Sequence, residues 1–183
     1  MLIMKNHLTI RSAVEEDAEV LTNWWNDGSV MAHAGFPNGL GQSIDQTRDQ
    51  IRRNETNLSQ RCIIEVDGIC VDEMNFQLIG EGIAEIGIKI CNTEYQNKGY
   101  GSVIIRMLLQ YLFEDQEPNS KYEVKKVILD TNLKNVRAQH VYEKVGFSRV
   151  RVNHHTWQDQ LGEWQDSVDY EMSKELYINT VMR

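Results

Sequence analysis

Two groups of residues in this chain have types and spacings that could do chemistry. The first is Gln96-Asn97-Lys98-Gly99-Tyr100-Gly101. An alternating run, Ala84-Glu85-Ile86-Gly87-Ile88-Lys89-Ile90, precedes it as a half-buried strand would. After it, Ile104, Met107, Leu108, Tyr111 and Leu112 recur at the spacing of one helical face. The glycines therefore fall where the chain turns into a helix N-terminus. Unpaired backbone N–H groups and the positive end of the helix dipole bind anions there, phosphates above all. Glycine lets the backbone curl and lets a phosphate approach with no Cβ in the way. A plain tight turn would use the same glycines. The string is not a P-loop, because no Gly-Lys-Ser/Thr follows, and it lacks the first glycine of the dinucleotide fingerprint.

The second group begins after Lys126-Val127-Ile128-Leu129-Asp130, an apolar run that reads as a short buried strand. Asn135 is a natural N-cap, and Gly146 sits where a helix needs a left-handed residue beyond its end. Between them Ala138, Val141, Tyr142 and Val145 form a stripe, which core packing alone would explain. Residues 147–152 then read as another strand.

Together the two segments resemble the acetyl-CoA-binding core of the GNAT superfamily of N-acetyltransferases. In that family Q/R-x-x-G-x-G/A is the pyrophosphate loop and N-x-x-[A/S]-x-x-x-Y-x-x-x-G-F is the next strand–helix–strand unit. Here Asn135, Ala138, Tyr142, Gly146 and Phe147 fill every position of the second pattern. A weaker likeness links Leu21-Thr22-Asn23-Trp24-Trp25-Asn26-Asp27 to the branch of ribosomal-protein N-terminal and spermidine acetyltransferases.

The resemblance implies acetyl-CoA as co-substrate and direct acetyl transfer to an amine. It implies that the backbone of Gln96, Asn97, Lys98, Gly99, Tyr100, Gly101 and Ser102 grips the pyrophosphate, with Lys98 as an added mobile charge. Ile88, Lys89 and Ile90 would pair their backbone with the pantetheine arm, and Asn132 and Asn135 would hydrogen-bond the cofactor. Tyr142 becomes the candidate general acid: a phenol of pKa near ~10 can protonate a departing thiolate of pKa about 8.5 while staying neutral. Glu85 is the candidate base or substrate-orienting anion, since an amine of pKa near ~10 must lose a proton before it attacks. A water chain would serve equally well. Trp24, Asn26 and Asp27 are candidate acceptor-pocket residues, with one ring of the Trp24-Trp25 pair expected in the core. Trp164, in an aromatic and acidic segment over residues 157–169, is another, suited to a cationic ligand.

The elements that must position these groups follow from local signals. A strand at 8–11 precedes a helix opened by a Ser12/Glu15 capping box and running to about 26. Ser43 with Gln46 repeats the box and starts a helix to about 55. Strands at 61–66 and 69–76 flank an Asp67-Gly68 turn, and 167–172 supplies a last strand. The expected fold is a layered α/β (α+β) one: a mixed, mostly antiparallel sheet of about six to seven strands with helices on both faces, ordered β-α-α-β-β-β-α-β-α-β-β, as in GNAT proteins.

With 183 residues, only two prolines and no linker, repeat or low-complexity tract, a single domain over 1–183 is the economical reading. No signal peptide or membrane span is expected. Cys62, Cys70 and Cys91 match no zinc spacing and are expected as reduced, buried thiols of a cytoplasmic protein. His154-His155 lacks a third ligand at a useful spacing, so no metal is expected. The net charge of −8 argues against nucleic acid and suits a cationic amine: a polyamine, an aminoglycoside or a protein N-terminal amine, the last slightly favoured by the resemblance of the segment from Trp24 to Asp27. A non-catalytic acyl-CoA-binding sensor or assembly module is the alternative, and a homodimer is plausible by resemblance alone.

Overall fold

The computed structural model describes residues 1–54, 58–89, 91–96, 98–114 and 123–181. Ile90 and Asn97, both expected at the cofactor, lie outside the described residues, as does residue 55 at the expected end of the second helix. The strands are β1 (Leu2–Lys5), β2 (Leu8–Ser12), β3 (Ser59–Val66), β4 (Ile69–Gly80), β5 (Ile83–Lys89), β6 (Lys126–Asn132), β7 (Ser148–Gln158) and β8 (Trp164–Ser173). The helices are α1 (Ala18–Asn26), α2 (Gly28–Met31), α3 (Ile44–Asn54), α4 (Tyr100–Phe113), α5 (Val136–Val145) and α6 (Lys174–Val181). One continuous sheet runs β1-β2-β3-β4-β5-β6-β8-β7, and every neighbouring pair is antiparallel except β5 and β6.

Two cores cover its faces. Ile10, Ile64, Met74, Ile86, Leu129 and Tyr170 pack with Ile104, Leu108, Leu112, Tyr142 and Tyr177 under α4, α5 and α6. On the other face Ile63 packs with Leu21, Trp25, Met31 and Ile51 under α1, α2 and α3. Ile63 and Ile64 are both fully buried, one in each core, as the period of two sends successive side chains to opposite faces.

Eight strands exceed the six to seven expected. The addition is β1, which pairs Ile3 with Ile10 across a turn in which Asn6 takes a φ of 56°. It is an edge strand with Leu2 and Met4 exposed, so it carries no alternation to announce it. Its arrival also overturns the Ser12/Glu15 cap. The Ser12 hydroxyl accepts from the Met1 amine at 2.8 Å, and Ser12 ends β2. Asp17 holds the entry to α1 instead: its Oδ2 accepts the Val14 N–H at 2.8 Å while both its oxygens take Arg11. The second capping box forms as expected, Gln46 N–H to Ser43 Oγ at 3.2 Å and Ser43 N–H to Gln46 Oε1 at 2.8 Å. At the Asp67-Gly68 turn both residues have positive φ, 51° and 79°, the turn that matches strand twist. The helix α6 and the length of the β7–β8 hairpin were not expected; most of the aromatic and acidic segment over 157–169 is strand, with a tip at 159–163.

Candidate active site

The site begins where the sheet splits. Strands β5 and β6 pair only over Ile83–Lys126, Ala84–Val127 and Glu85–Ile128. Beyond that rung β5 continues to Lys89 with β4, and β6 continues to Asn132 with β8. The inner edge of β5 at residues 86–89 therefore has no strand partner among the described residues. A cavity of about 720 Å³ fills the gap and reaches both faces of the sheet. Among its lining residues are Gly87, Ile88 and Lys89 from β5 and Asp130, Thr131 and Asn132 from β6. A Cβ at Gly87 would lie 2.4 Å from Asn75 Oδ1, so a larger residue there would push the Asn75 side chain aside.

On one face, the start of α4 enters the cavity through Gly101 and Ile105. Gly99 caps α4 at φ +83° with no side-chain cap, which leaves the first-turn N–H groups of the helix for an outside acceptor. The Ser102 hydroxyl donates to the Gly99 carbonyl at 2.9 Å, and the Lys98 ammonium stands 5.0 Å over the Tyr95 ring. Arg137 of α5 reaches back to donate from Nη1 to Gln96 Oε1, tying the loop to the neighbouring helix.

The same face receives α5. Asn135 Oδ1 accepts the Ala138 N–H at 3.2 Å, and Gly146 at φ +113° donates to the carbonyls of Tyr142 and Glu143. These caps fix the helix register and bring Tyr142 to the cavity wall. Its ring is 5% exposed and packs on Phe147 and Tyr170 with centroids 6.1 and 5.6 Å away. The phenol has no hydrogen-bond partner among the described residues. Burial, and then the charge of Asp130, push its pKa well above the ordinary range, so it is a neutral donor at any working pH. Asn132 is buried between strands, with its Nδ2 donating to Gln165 Oε1 at 3.3 Å and its Oδ1 accepting from Lys134 N.

The opposite face holds the charged groups that sequence reasoning missed. Asp130 opens into the cavity and makes no ion pair among the described residues, whereas Asp169 beside it is held by Arg151 and Asn153. Asp130 keeps an exposed side, and its partial desolvation at the cavity and then the Asp169 charge raise its pKa. Glu73, 1% exposed, takes Trp25 Nε1, Arg61 Nη1 and Lys89 Nζ at 2.6–2.8 Å. The cations and the indole outweigh burial and hold its pKa low. His33 and Trp157 complete the wall; burial and the Arg137 charge lower the His33 pKa, so its imidazole is neutral at pH 7.

The sequence of residues 7–148 matches the model of the acetyltransferase (GNAT) domain. The chain belongs to the GNAT family. It is an N-acetyltransferase with acetyl-CoA as acyl donor. It is 25% identical over 151 residues, 81% of this chain and 84% of the relative, to an uncharacterized N-acetyltransferase of Bacillus subtilis. In fold it is similar to the spermidine N-acetyltransferase of Vibrio cholerae in complex with CoA and spermine, with TM-score 0.81, 22% identity and coverage of 96% and 100% of the two chains. It is also similar in fold to a ribosomal alpha-N-protein acetyltransferase in complex with coenzyme A, with TM-score 0.80, 16% identity and coverage of 94% and 98%.

The residues of this GNAT protein fit an acyl-CoA. The free β5 edge suits an extended amide-bearing arm, and the bare helix start with Lys134 and Arg137 nearby suits phosphates. Of the residues singled out from sequence, Ile88, Lys89, Gln96, Gly101, Asn132, Asn135 and Tyr142 meet in this one cavity. Lys98, Gly99, Tyr100 and Ser102 frame the loop at its rim rather than lining it. Glu85 shares the face of Gly87 and Lys89 but sits at the closed rung of the ladder, exposed and outside the lining. Trp24, Asn26, Asp27 and Trp164 also stand outside it. Trp24 is half-buried against the smaller core, where Trp25 is the ring that packs fully. Asn26 is bonded twice to the Gln42 backbone, and Asp27 caps α2 through the Ser29 N–H at 2.8 Å. These two shape the loop and short helix that carry His33. Trp164 is exposed against His155 with ring centroids 5.9 Å apart; Trp157 is the tryptophan at the cavity. Of the cysteines, Cys62 and Cys91 are buried as expected and Cys70 is half-buried beside Arg11. Among the described residues no group of three ligating side chains could hold a metal, and no helix is long and apolar enough to cross a membrane.

Proposed function

We propose that this acetyltransferase moves the acetyl group directly to a primary amine, with Tyr142 as the proton donor and Asp130 as the carboxylate that receives the ammonium and takes its proton. The observation that carries the reading is the parting of β5 and β6 beyond Glu85 and Ile128. It creates one passage with a phosphate-binding helix start on one face and an unpaired carboxylate on the other.

Acetyl-CoA supplies an electrophilic thioester carbonyl and a thiolate leaving group. The residues of this chain do the rest. The backbone of Ile88 and Lys89 can hydrogen-bond the donor's arm as an added strand would, which fixes the carbonyl in the gap. The starting N–H groups of α4 and the Gln96–Arg137 tie hold the pyrophosphate end. Asp130 draws in an ammonium, and its raised pKa makes it a better proton acceptor than an ordinary surface aspartate. Tyr142, neutral and buried, donates to the departing sulfur. Glu85, on the same strand face but at the rim, fits a role in orienting the incoming amine rather than in proton transfer.

The protein N-terminal amine is the favoured acceptor. Asp130 is a single unpaired carboxylate at the cavity, enough for one ammonium, whereas Glu73 is committed to Arg61, Lys89 and Trp25. A polyamine or an aminoglycoside presents several ammonium groups. Thiol release from acetyl-CoA, run with a short Ser- or Ala-starting peptide, spermidine and an aminoglycoside, tests the reading. Turnover with the peptide well above the amine-free blank is the expected result.

A further inference from the structure

The acceptor side of the cavity holds a charge pattern that acetyl transfer alone does not use. Arg61, Glu73 and Lys89 all line it. Glu73 accepts from Arg61 Nη1 at 2.6 Å and from Lys89 Nζ at 2.8 Å, so two cations face one carboxylate and the cluster keeps one positive charge in excess. The guanidinium carbon lies 4.5 Å from the centroid of the Trp25 ring, and that ring is itself fixed by its Nε1 bond to Glu73. Arg61 Nε is buried and has no hydrogen-bond partner among the described residues. A buried charged donor left without an acceptor is costly and calls for an explanation, and a ligand that completes it is one. With Nη1 given to Glu73 and Nε buried, a carboxylate that draws the guanidinium toward the cavity would meet Nη2 and, on a small side-chain shift, Nε, the fork that matches two carboxylate oxygens.

Asp130 opens into the same cavity with its carboxylate unpaired. The wall thus offers one anionic and one cationic pole. We infer that the acceptor is an amine that carries a carboxylate on the same molecule: its ammonium goes to Asp130 and its carboxylate to Arg61 and Lys89. This rests on the transfer reading above and narrows its substrate class. A polyamine would set its further ammonium groups against the excess positive charge of the Arg61 cluster. The carboxylate can be the α-carboxylate of a free amino acid or the side chain of an acidic residue at a peptide N-terminus; the geometry recognises the shared chemistry.

The test compares matched pairs by thiol release from acetyl-CoA with the intact protein. Serine against serine amide reads the α-carboxylate. An Asp-starting peptide amide against its Asn-starting isostere reads the side chain. The expected result is a kcat/KM for the acid-bearing member of at least one pair about tenfold or more above its uncharged partner, as charge-assisted bidentate pairing requires. In Arg61→Gln that ratio falls toward unity, and Arg61→Lys keeps part of it, while the KM for acetyl-CoA stays near the parent value. Equal or higher kcat/KM for the uncharged members of both pairs, or for spermidine, overturns the inference while leaving amine acetylation intact. Failure to acetylate any amine would instead count against the transfer reading itself. The wild-type comparison stands even if Arg61 variants fold poorly.

Discussion

Glu85 and Ile128 form the last rung of the β5–β6 ladder, and the two strands part immediately beyond them. The proposed catalytic site depends on that separation. The unpaired β5 edge, the start of α4 and the side chains of Asp130 and Tyr142 become reachable from one passage. A ladder continued to Lys89 would seal it.

Tyr142 combines a core position with a place on the cavity wall. The Tyr142→Phe substitution keeps the ring contacts to Phe147 and Tyr170 and removes only the hydroxyl with its proton. Turnover is expected to drop by at least about tenfold, with acetyl-CoA affinity nearly unchanged. Steady-state kinetics with calorimetry of acetyl-CoA binding checks this, and an unaltered turnover number removes the phenol from the mechanism.

Asp130 must be ionised to take a proton, and its pKa is raised by partial desolvation and by Asp169. Activity should therefore fall with decreasing pH along a limb that lies above the ordinary aspartate value of about 3.9. In Asp130→Asn the limb disappears and kcat/KM at pH 8 drops by about a hundredfold. Persistence of the limb in the variant would assign it to another group.

Gly99 occupies the left-handed region at φ +83° with open space around it, so the strain of a side chain there is purely conformational. Gly99→Ala should cost about 1 kcal/mol of stability. It should also weaken acetyl-CoA binding by shifting the first turn of α4, as read by thermal melts and calorimetry side by side. A loss of stability without any loss of affinity would detach this glycine from the phosphate site.

Asp72 lies in the sheet at 1% exposure and accepts the Cys91 N–H at 2.9 Å, holding the chain that leads to the proposed pyrophosphate loop. Burial raises its pKa to about 7. The folded state therefore holds this proton more tightly than the unfolded chain does. The contribution to stability is complete below the ordinary value of about 3.9 and is lost progressively as pH rises to about 7. Melting temperatures of the parent should fall across that window more steeply than those of Asp72→Asn. Parallel curves would show that Asp72 titrates normally.

The parts of the site legible in the sequence are those fixed by local backbone demands. Gly99 and Gly146 need positive φ, Asn135 caps the turn that follows it, and the stripe through Tyr142 and Val145 follows from helical period alone. Ser12 failed as a cap because a distant residue, Met1, took its hydroxyl. Asp130, Arg61 and Glu73 were invisible for a related reason. Each reads as an ordinary charge at or near a strand, and only the register of β3, β4, β5 and β6 brings them to one cavity. Trp164 looked functional by composition, yet the bulge between Asn153 and Trp157, where His155 has a φ of 52°, leaves Trp157 at the cavity and Trp164 outside it.

The most direct test of the split-sheet account follows both products of one reaction. Purified protein is mixed with acetyl-CoA and a short peptide with a free N-terminal amine, and mass spectrometry of the peptide accompanies thiol release. The account predicts acetylation confined to the primary amine, matched mole for mole by free thiol, and both suppressed together in Tyr142→Phe and Asp130→Asn. Thiol release without acetylated peptide, or acetylation that survives both substitutions, would contradict it.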